Sequence, residues 1–129
     1  MTIAEVGKKF ELSVDTLRYY ERIGLLPPIM RNASGFRDYG EEACNWVYFI
    51  KCMRNAGVSV EALTEYVSLF QQGASTIPAR KALLVEQREA LAKRSQEILD
   101  TLARLDKKID GYEERLLKYE RDKLVHNVY

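Results

Sequence analysis

The stretch Ser13-Val14-Asp15-Thr16-Leu17-Arg18-Tyr19-Tyr20-Glu21-Arg22-Ile23-Gly24-Leu25-Leu26-Pro27-Pro28 decides the reading of this chain. Ser13 is suited to cap a helix, because its hydroxyl can accept a hydrogen bond from a backbone N–H that the first turn leaves unpaired. A helix is therefore expected from Val14 to about Ile23. Gly24 supplies its stop, and Pro27-Pro28 bars any continuation.

Upstream, Thr2 and Glu5 have capping-box spacing, so a short helix should begin near Ile3 with Ile3, Val6 and Phe10 on its apolar face. Only Glu11-Leu12 separates the two helices. Two short helices joined by a tight turn make a helix-turn-helix, whose second helix reads the major groove. Its first turns would bring Ser13, Val14 and Thr16 toward base edges, with Arg18 and Tyr19 on bases or phosphates and Leu17 in the core. Downstream, the turn cluster Asn32-Ala33-Ser34-Gly35 lies between Arg31 and Phe36-Arg37-Asp38-Tyr39. It reads as a small hairpin or extended loop, a wing whose Arg31 and Arg37 would meet phosphates or a minor groove. From pattern alone two alternatives stay open. Helix-turn-helix geometry also serves domains that bind only protein, and Arg18-Tyr19-Tyr20-Glu21 could be a structural ion pair beside core aromatics.

A third helix is expected from about Glu41 to Ala56, with the stripe Ala43, Trp46, Val47, Ile50 and Met53 at spacings of three and four. Gly57 ends it, and Ser59 caps a fourth helix from Val60 to about Gln72, with Leu63, Val67 and Phe70 facing inward. Residues 1–73 thus form a head and 74–77 a linker. From Pro78 the pattern changes: Leu84, Leu91, Ile98, Leu105, Tyr112 and Tyr119 recur every seven residues. Ser95, Leu102, Ile109 and Leu116 precede members of that line by three. This is a coiled-coil seam, read as one helix over 78–120 followed by a tail, 121–129, expected to be flexible. Such a helix would reach roughly 60 Å and needs a partner for its stripe, most simply the same helix of a second chain. The fold class is mainly α.

Bulk properties exclude several classes. No apolar run approaches the ~20 residues of a membrane span, and the opening Met1-Thr2-Ile3-Ala4-Glu5 does not read as a signal peptide. A cytoplasmic location without membrane association is expected. Two cysteines, Cys44 and Cys52, make no disulfide scaffold, and eight residues of one helix would hold their Cα atoms about 12 Å apart. One histidine, His126, and the lack of a nucleophile elbow or phosphate loop argue against an enzyme. Net charge is +1: residues 1–58 hold eight Lys or Arg and seven Asp or Glu, and residues 59–129 hold twelve of each. Any DNA-binding cations must therefore be focused on one face.

The run Leu17-Arg18-Tyr19-Tyr20-Glu21-Arg22-Ile23-Gly24-Leu25-Leu26-Pro27 resembles the signature of the MerR family of bacterial transcription regulators. So do Arg31…Gly35-Phe36-Arg37-Asp38-Tyr39, the opening Ile3-Ala4-Glu5-Val6, the corner Gly57-Val58-Ser59 and the long terminal helix. The resemblance implies an antiparallel coiled-coil homodimer on a palindromic promoter operator. There the regulator bends and untwists double-stranded DNA so that RNA polymerase engages both promoter elements. Carried over by position, it implies DNA contacts from Arg18 and Tyr19 on the second helix, Arg37 and Tyr39 in the wing, and Arg54 in a second wing.

The signal follows from what the chain lacks and has. Residues 73–129 hold no cysteine, so neither the paired thiolates of a soft-metal site nor a four-cysteine iron–sulfur cluster is expected, and no cofactor is implied. No appended drug-binding domain is expected in a chain of 129 residues. The run Phe49-Ile50-Lys51-Cys52-Met53-Arg54 resembles the short AdhR and NmlR branch. That resemblance implies a sensor of aldehydes, nitrosative or other thiol-directed stress, in which a small electrophile forms an adduct on Cys52. Lys51 and Arg54 lie close in sequence and could favour the thiolate. The plainer alternative is a small cysteine packed in the core, with a different effector acting elsewhere.

Overall fold

In the computed structural model, residues 1–122 are described, and they divide into two compact units, 1–91 and 92 onward. Helix α1 spans Ile3–Phe10, and the expected capping box is present. Glu5 N–H donates to Thr2 Oγ1 (3.1 Å), and Thr2 N–H donates to Glu5 Oε1 (3.0 Å). The Thr2 amide holds the Glu5 carboxyl below the usual carboxylate range. This stabilisation is therefore present above the ordinary carboxylate pKa and lost as pH falls through the lowered value. Glu11 closes α1 in a left-handed conformation (φ 57°).

Helix α2, Val14–Arg22, follows at once, capped by Ser13 through Thr16 N–H (3.0 Å). Gly7 permits this tight turn: a Cβ there would stand 2.6 Å from the Leu12 carbonyl oxygen. Helix α1 packs against both α2 and α3, the latter spanning Glu41–Asn55. Helix α4, Val60–Gln71, is capped by Ser59. Val6, Leu17, Leu25, Val47 and Ile50 are fully buried and, with Leu26, Val58 and Leu63, form the core of this first unit. Burying one such side chain is worth about 1.5–3 kcal/mol.

The wing is short. Arg31 and Arg37 form a single antiparallel bridge, and Gly35 (φ 82°) turns the chain between them. Asn32 organises the tip, its Oδ1 accepting from Ser34 N–H (2.9 Å) and Phe36 N–H (3.1 Å).

The expected linker contains a 3-10 turn, Ala74–Thr76, and leads directly into α5, Ile77–Ile109. Thr76 Oγ1 donates toward the Leu69 and Gly73 carbonyls, and Arg80 Nε donates back to Thr76 Oγ1. These bonds tie the first turn of α5 to the end of α4.

The second unit begins at Ala92 and corrects one expectation: the helix is not continuous over 78–120. It stops at Ile109, and α6 runs Tyr112–Asp122. Gly111 adopts φ 64°, a left-handed conformation that ends helices and costs nothing extra only for glycine. Arg115 Nη2 donates to the carbonyls of Lys107 (2.9 Å), Lys108 (2.6 Å) and Asp110, satisfying acceptors that the end of α5 leaves open. Ile98, Leu102, Leu105 and Ile109 are all exposed, and neither α5 nor α6 buries any residue within one chain. Arg121 and Asp122 are helical, whereas the rest of the expected tail, with His126, lies outside the described residues. No described helix is long and apolar enough to cross a membrane.

Candidate nucleic-acid interface

The second helix presents its polar face as its sequence suggests. Arg18 is exposed and stands 3.9 Å from Asp15 Oδ1, a loose surface pair. Tyr19 is exposed, with the Arg22 guanidinium 5.5 Å above its ring. Val14 and Thr16 are half-buried. Ser13 is occupied locally: its oxygen takes the Thr16 amide, and its proton goes to Thr16 Oγ1 (2.7 Å). Its structural task is therefore the cap, and that cap sets where the exposed turn of α2 begins.

In the wing, Arg31 is exposed and donates to the Gly35 carbonyl (2.8 Å), bracing the turn. Arg37 is half-buried, and its Nε lies 2.5 Å from Glu21 Oε2 on the last turn of α2. This pair joins wing to recognition helix across 16 residues of sequence.

Tyr39 departs from expectation. Its ring is 1% exposed and belongs to the core, so the side chain is not presented as a DNA contact. The neighbouring helices supply enough apolar surface to bury the ring, and its hydroxyl has no hydrogen-bond partner. Burial first, then the Glu21 carboxylate, pushes its pKa up, against the opposing effect of Arg37 and Arg18.

Arg54 is exposed at the α3–α4 corner, where Nη1 donates to the Val58 carbonyl (2.7 Å). Cys52 is half-buried on α3 and Cys44 is buried, its Sγ near the Met1 sulfur (3.8 Å) and the Tyr39 carbonyl (3.9 Å). The two cations expected beside Cys52 are engaged elsewhere: Lys51 with Glu11 Oε2 at 4.0 Å, and Arg54 with Val58. Tyr48 stands one helical turn before Cys52 on α3 and is exposed. Cys52 beside it, by hydrogen bonding and by its charge, holds the Tyr48 phenol above its ordinary pKa.

An aromatic cluster was not foreseen as a unit. Trp46 on α3 meets Phe70 on α4 edge-on (5.0 Å between centroids), and Phe49 meets Tyr66 (5.7 Å). Arg80, early in α5, lies 5.3 Å over Phe70. The stripe position of Trp46 is readable in sequence, but its pairing with Phe70 on a second helix is not. Among the described residues, no group of His, Cys, Asp and Glu is placed to hold a metal.

With this geometry in place, comparison with known proteins is decisive. The model of the MerR helix-turn-helix family of regulatory proteins matches residues 1–69, and the MerR DNA-binding model matches 45–108. The chain belongs to the MerR family of helix-turn-helix DNA-binding transcription regulators. Within it, the chain falls in the short branch similar to AdhR and NmlR. It is 57% identical over 91 residues to the transcriptional regulator AdhR of Bacillus subtilis, a match that covers 70% of this chain but 65% of AdhR. A MerR family regulator structure from Listeria monocytogenes superposes with a TM-score of 0.85 at 46% identity, covering 95% of this chain and 92% of that one. HiNmlR, a MerR family regulator lacking the sensor domain and bound to promoter DNA, gives 0.80 at 27% identity, covering 88% and 90%.

Proposed function

We propose that this MerR family member acts as a homodimer that binds a palindromic promoter site and answers thiol-directed electrophiles, such as aldehydes or nitrosating agents, through Cys52. The observation that supports the sensing part is a free, half-buried cysteine on α3, one helical turn from the exposed Tyr48. Adduct formation there needs to shift the balance between two DNA-bound shapes by only about 1.4 kcal/mol to change occupancy tenfold.

Dimerisation pairs the exposed stripe of α5 with its copy in an antiparallel coiled coil. Each copy then offers one recognition helix and one wing. Arg18 and Tyr19 meet the duplex from α2, Thr16 and Val14 approach base edges, and Arg31, Arg37 and Arg54 bind phosphates. Activation follows the family's scheme, in which distorted promoter DNA is presented to RNA polymerase. The DNA deformation costs several kcal/mol, offset by the phosphate contacts.

The test is transcription in vitro with purified polymerase. Wild type and Cys44→Ser should respond to an aldehyde, with the mass increment located on Cys52. Cys52→Ser should bind the same promoter and stay unresponsive. A full response from Cys52→Ser would return that cysteine to core packing.

A further inference from the structure

We propose that Glu21 is a positioning residue for DNA: it grips Arg37 by Nε so that the terminal nitrogens of the guanidinium are aimed at one backbone phosphate. The inference rests on reading the wing as a DNA contact and adds to it a residue of opposite charge.

Three observations support it. Glu21 Oε2 takes Nε at 2.5 Å rather than either end of the fork. A guanidinium has five N–H donors, and bonding at Nε leaves the two on each terminal nitrogen available for a phosphate. Both side chains are largely shielded, Arg37 at 31% and Glu21 at 21% exposure, which screens the pair less than a surface contact. Tyr39, two residues after Arg37, is buried in the core with an unpartnered hydroxyl, and the Glu21 and Arg37 charges act on it in opposite directions. The burial of Tyr39 anchors the end of the wing in the core, two residues from Arg37.

Net electrostatics alone argues the opposite. A carboxylate beside a DNA-facing arginine lowers the local positive potential, so its removal should tighten binding. Positioning says that its removal should weaken binding. The two accounts therefore differ in sign.

The experiment measures binding to a fluorescein-labelled duplex, selected from a random pool by the wild-type protein, across a salt series. Glu21→Asp keeps the charge but is one methylene too short to hold Nε. It and Glu21→Ala should each weaken binding roughly three- to tenfold and lower the salt slope by about one phosphate contact. Arg37→Ala should do the same, and adding Glu21→Ala to it should cause little further loss, because the two residues act as one unit. Glu21→Gln, which retains an acceptor for Nε, should recover most of the affinity. Circular dichroism checks that each variant is folded, and Glu21→Asp carries the test should Glu21→Ala not fold. Binding by Glu21→Asp with wild-type affinity and slope, or tighter binding by Glu21→Ala, would overturn the inference while leaving the wing as a DNA contact. An Arg37→Ala protein with an unchanged slope would overturn both.

Discussion

The head and the far part of the helical extension spend their apolar residues in opposite ways. In residues 1–91, Val6, Leu17, Leu25, Val47 and Ile50 disappear completely from solvent within one chain. From Ala92 to Asp122, Ile98, Leu99, Leu102, Leu105 and Ile109 remain more than half exposed. The first pattern describes a domain that can fold on its own contacts. The second describes a surface complete only when another molecule covers it, since the hydrophobic effect leaves a stripe of that length unfavourable in water. The proposed division of labour, DNA recognition in the head and assembly in the extension, follows this difference.

The largest expected effect breaks the extension. Leu102→Glu with Ile109→Glu would bury two carboxylates per chain in the proposed seam, where an unpaired charge is strongly unfavourable. Analytical ultracentrifugation should show monomer, and operator affinity should fall roughly a hundredfold or more as two linked half-site contacts become one. Near-ultraviolet dichroism from Trp46 should stay unchanged, because the head does not depend on the seam. A double variant that stays dimeric would mean that another surface joins the copies.

The converse variant breaks the head. Leu17 is fully buried between α1 and the rest of the core, and its Cδ1 lies near the position a Gly7 side chain would take. Leu17→Ala should remove about 2–5 kcal/mol from the head by lost burial and an unfilled cavity. Its melting, followed by tryptophan fluorescence, should drop well below wild type while ultracentrifugation still reports dimer. Simultaneous loss of dimer would show that the two regions are not independent.

The same division governs what was legible before the structure. Helix boundaries in the head follow single residues with local chemistry. Ser13, Ser59 and the Thr2–Glu5 box start helices, while Gly24 and Gly57 follow their ends with positive φ. Such signals act within a few residues of chain, so sequence carries them. The interface geometry does not. Glu21 and Arg37 meet across 16 residues, and only the fold decides that Tyr39 turns inward. In the extension, the heptad pattern hid a local signal that was present: Asp110-Gly111 after Lys107-Lys108 is a helix end with its basic last turn. Tyr112, Leu116 and Tyr119 continued the spacing across the break, so periodicity outweighed the glycine.

That break offers a smaller and sharper test. Gly111→Ala places a side chain where φ is 64°, a conformation that disfavours alanine by about 1 kcal/mol, whereas alanine favours helix over glycine by a similar amount. Both push toward joining α5 and α6. Amide hydrogen exchange should slow over 110–115, with no change at Leu17 or Ile50. Unchanged exchange there would mean that the Arg115 cap, not the glycine, holds the two helices apart.

The smallest effect tests whether chemical sensing is local to the head. If the extension only joins copies, reactivity must be set by what touches Cys52 on α3. One such neighbour is Tyr48, one helical turn away, whose phenol is held above its ordinary pKa by Cys52. A sulfur attacking an electrophile carries negative charge, and a phenol one turn away is placed to donate a hydrogen bond to it during the attack. Tyr48→Phe should therefore slow alkylation of Cys52 by iodoacetamide at neutral pH by roughly two- to fivefold, the modest size expected of one exposed hydrogen bond. Peptide mass spectrometry separates this from Cys44, which is buried and should react slowly in both proteins. The seam variant Leu102→Glu/Ile109→Glu should alkylate at the wild-type rate. If instead Tyr48→Phe leaves the rate unchanged and the seam variant alters it, the environment of Cys52 is completed by the second chain, and sensing and assembly are not divided as the single chain suggests.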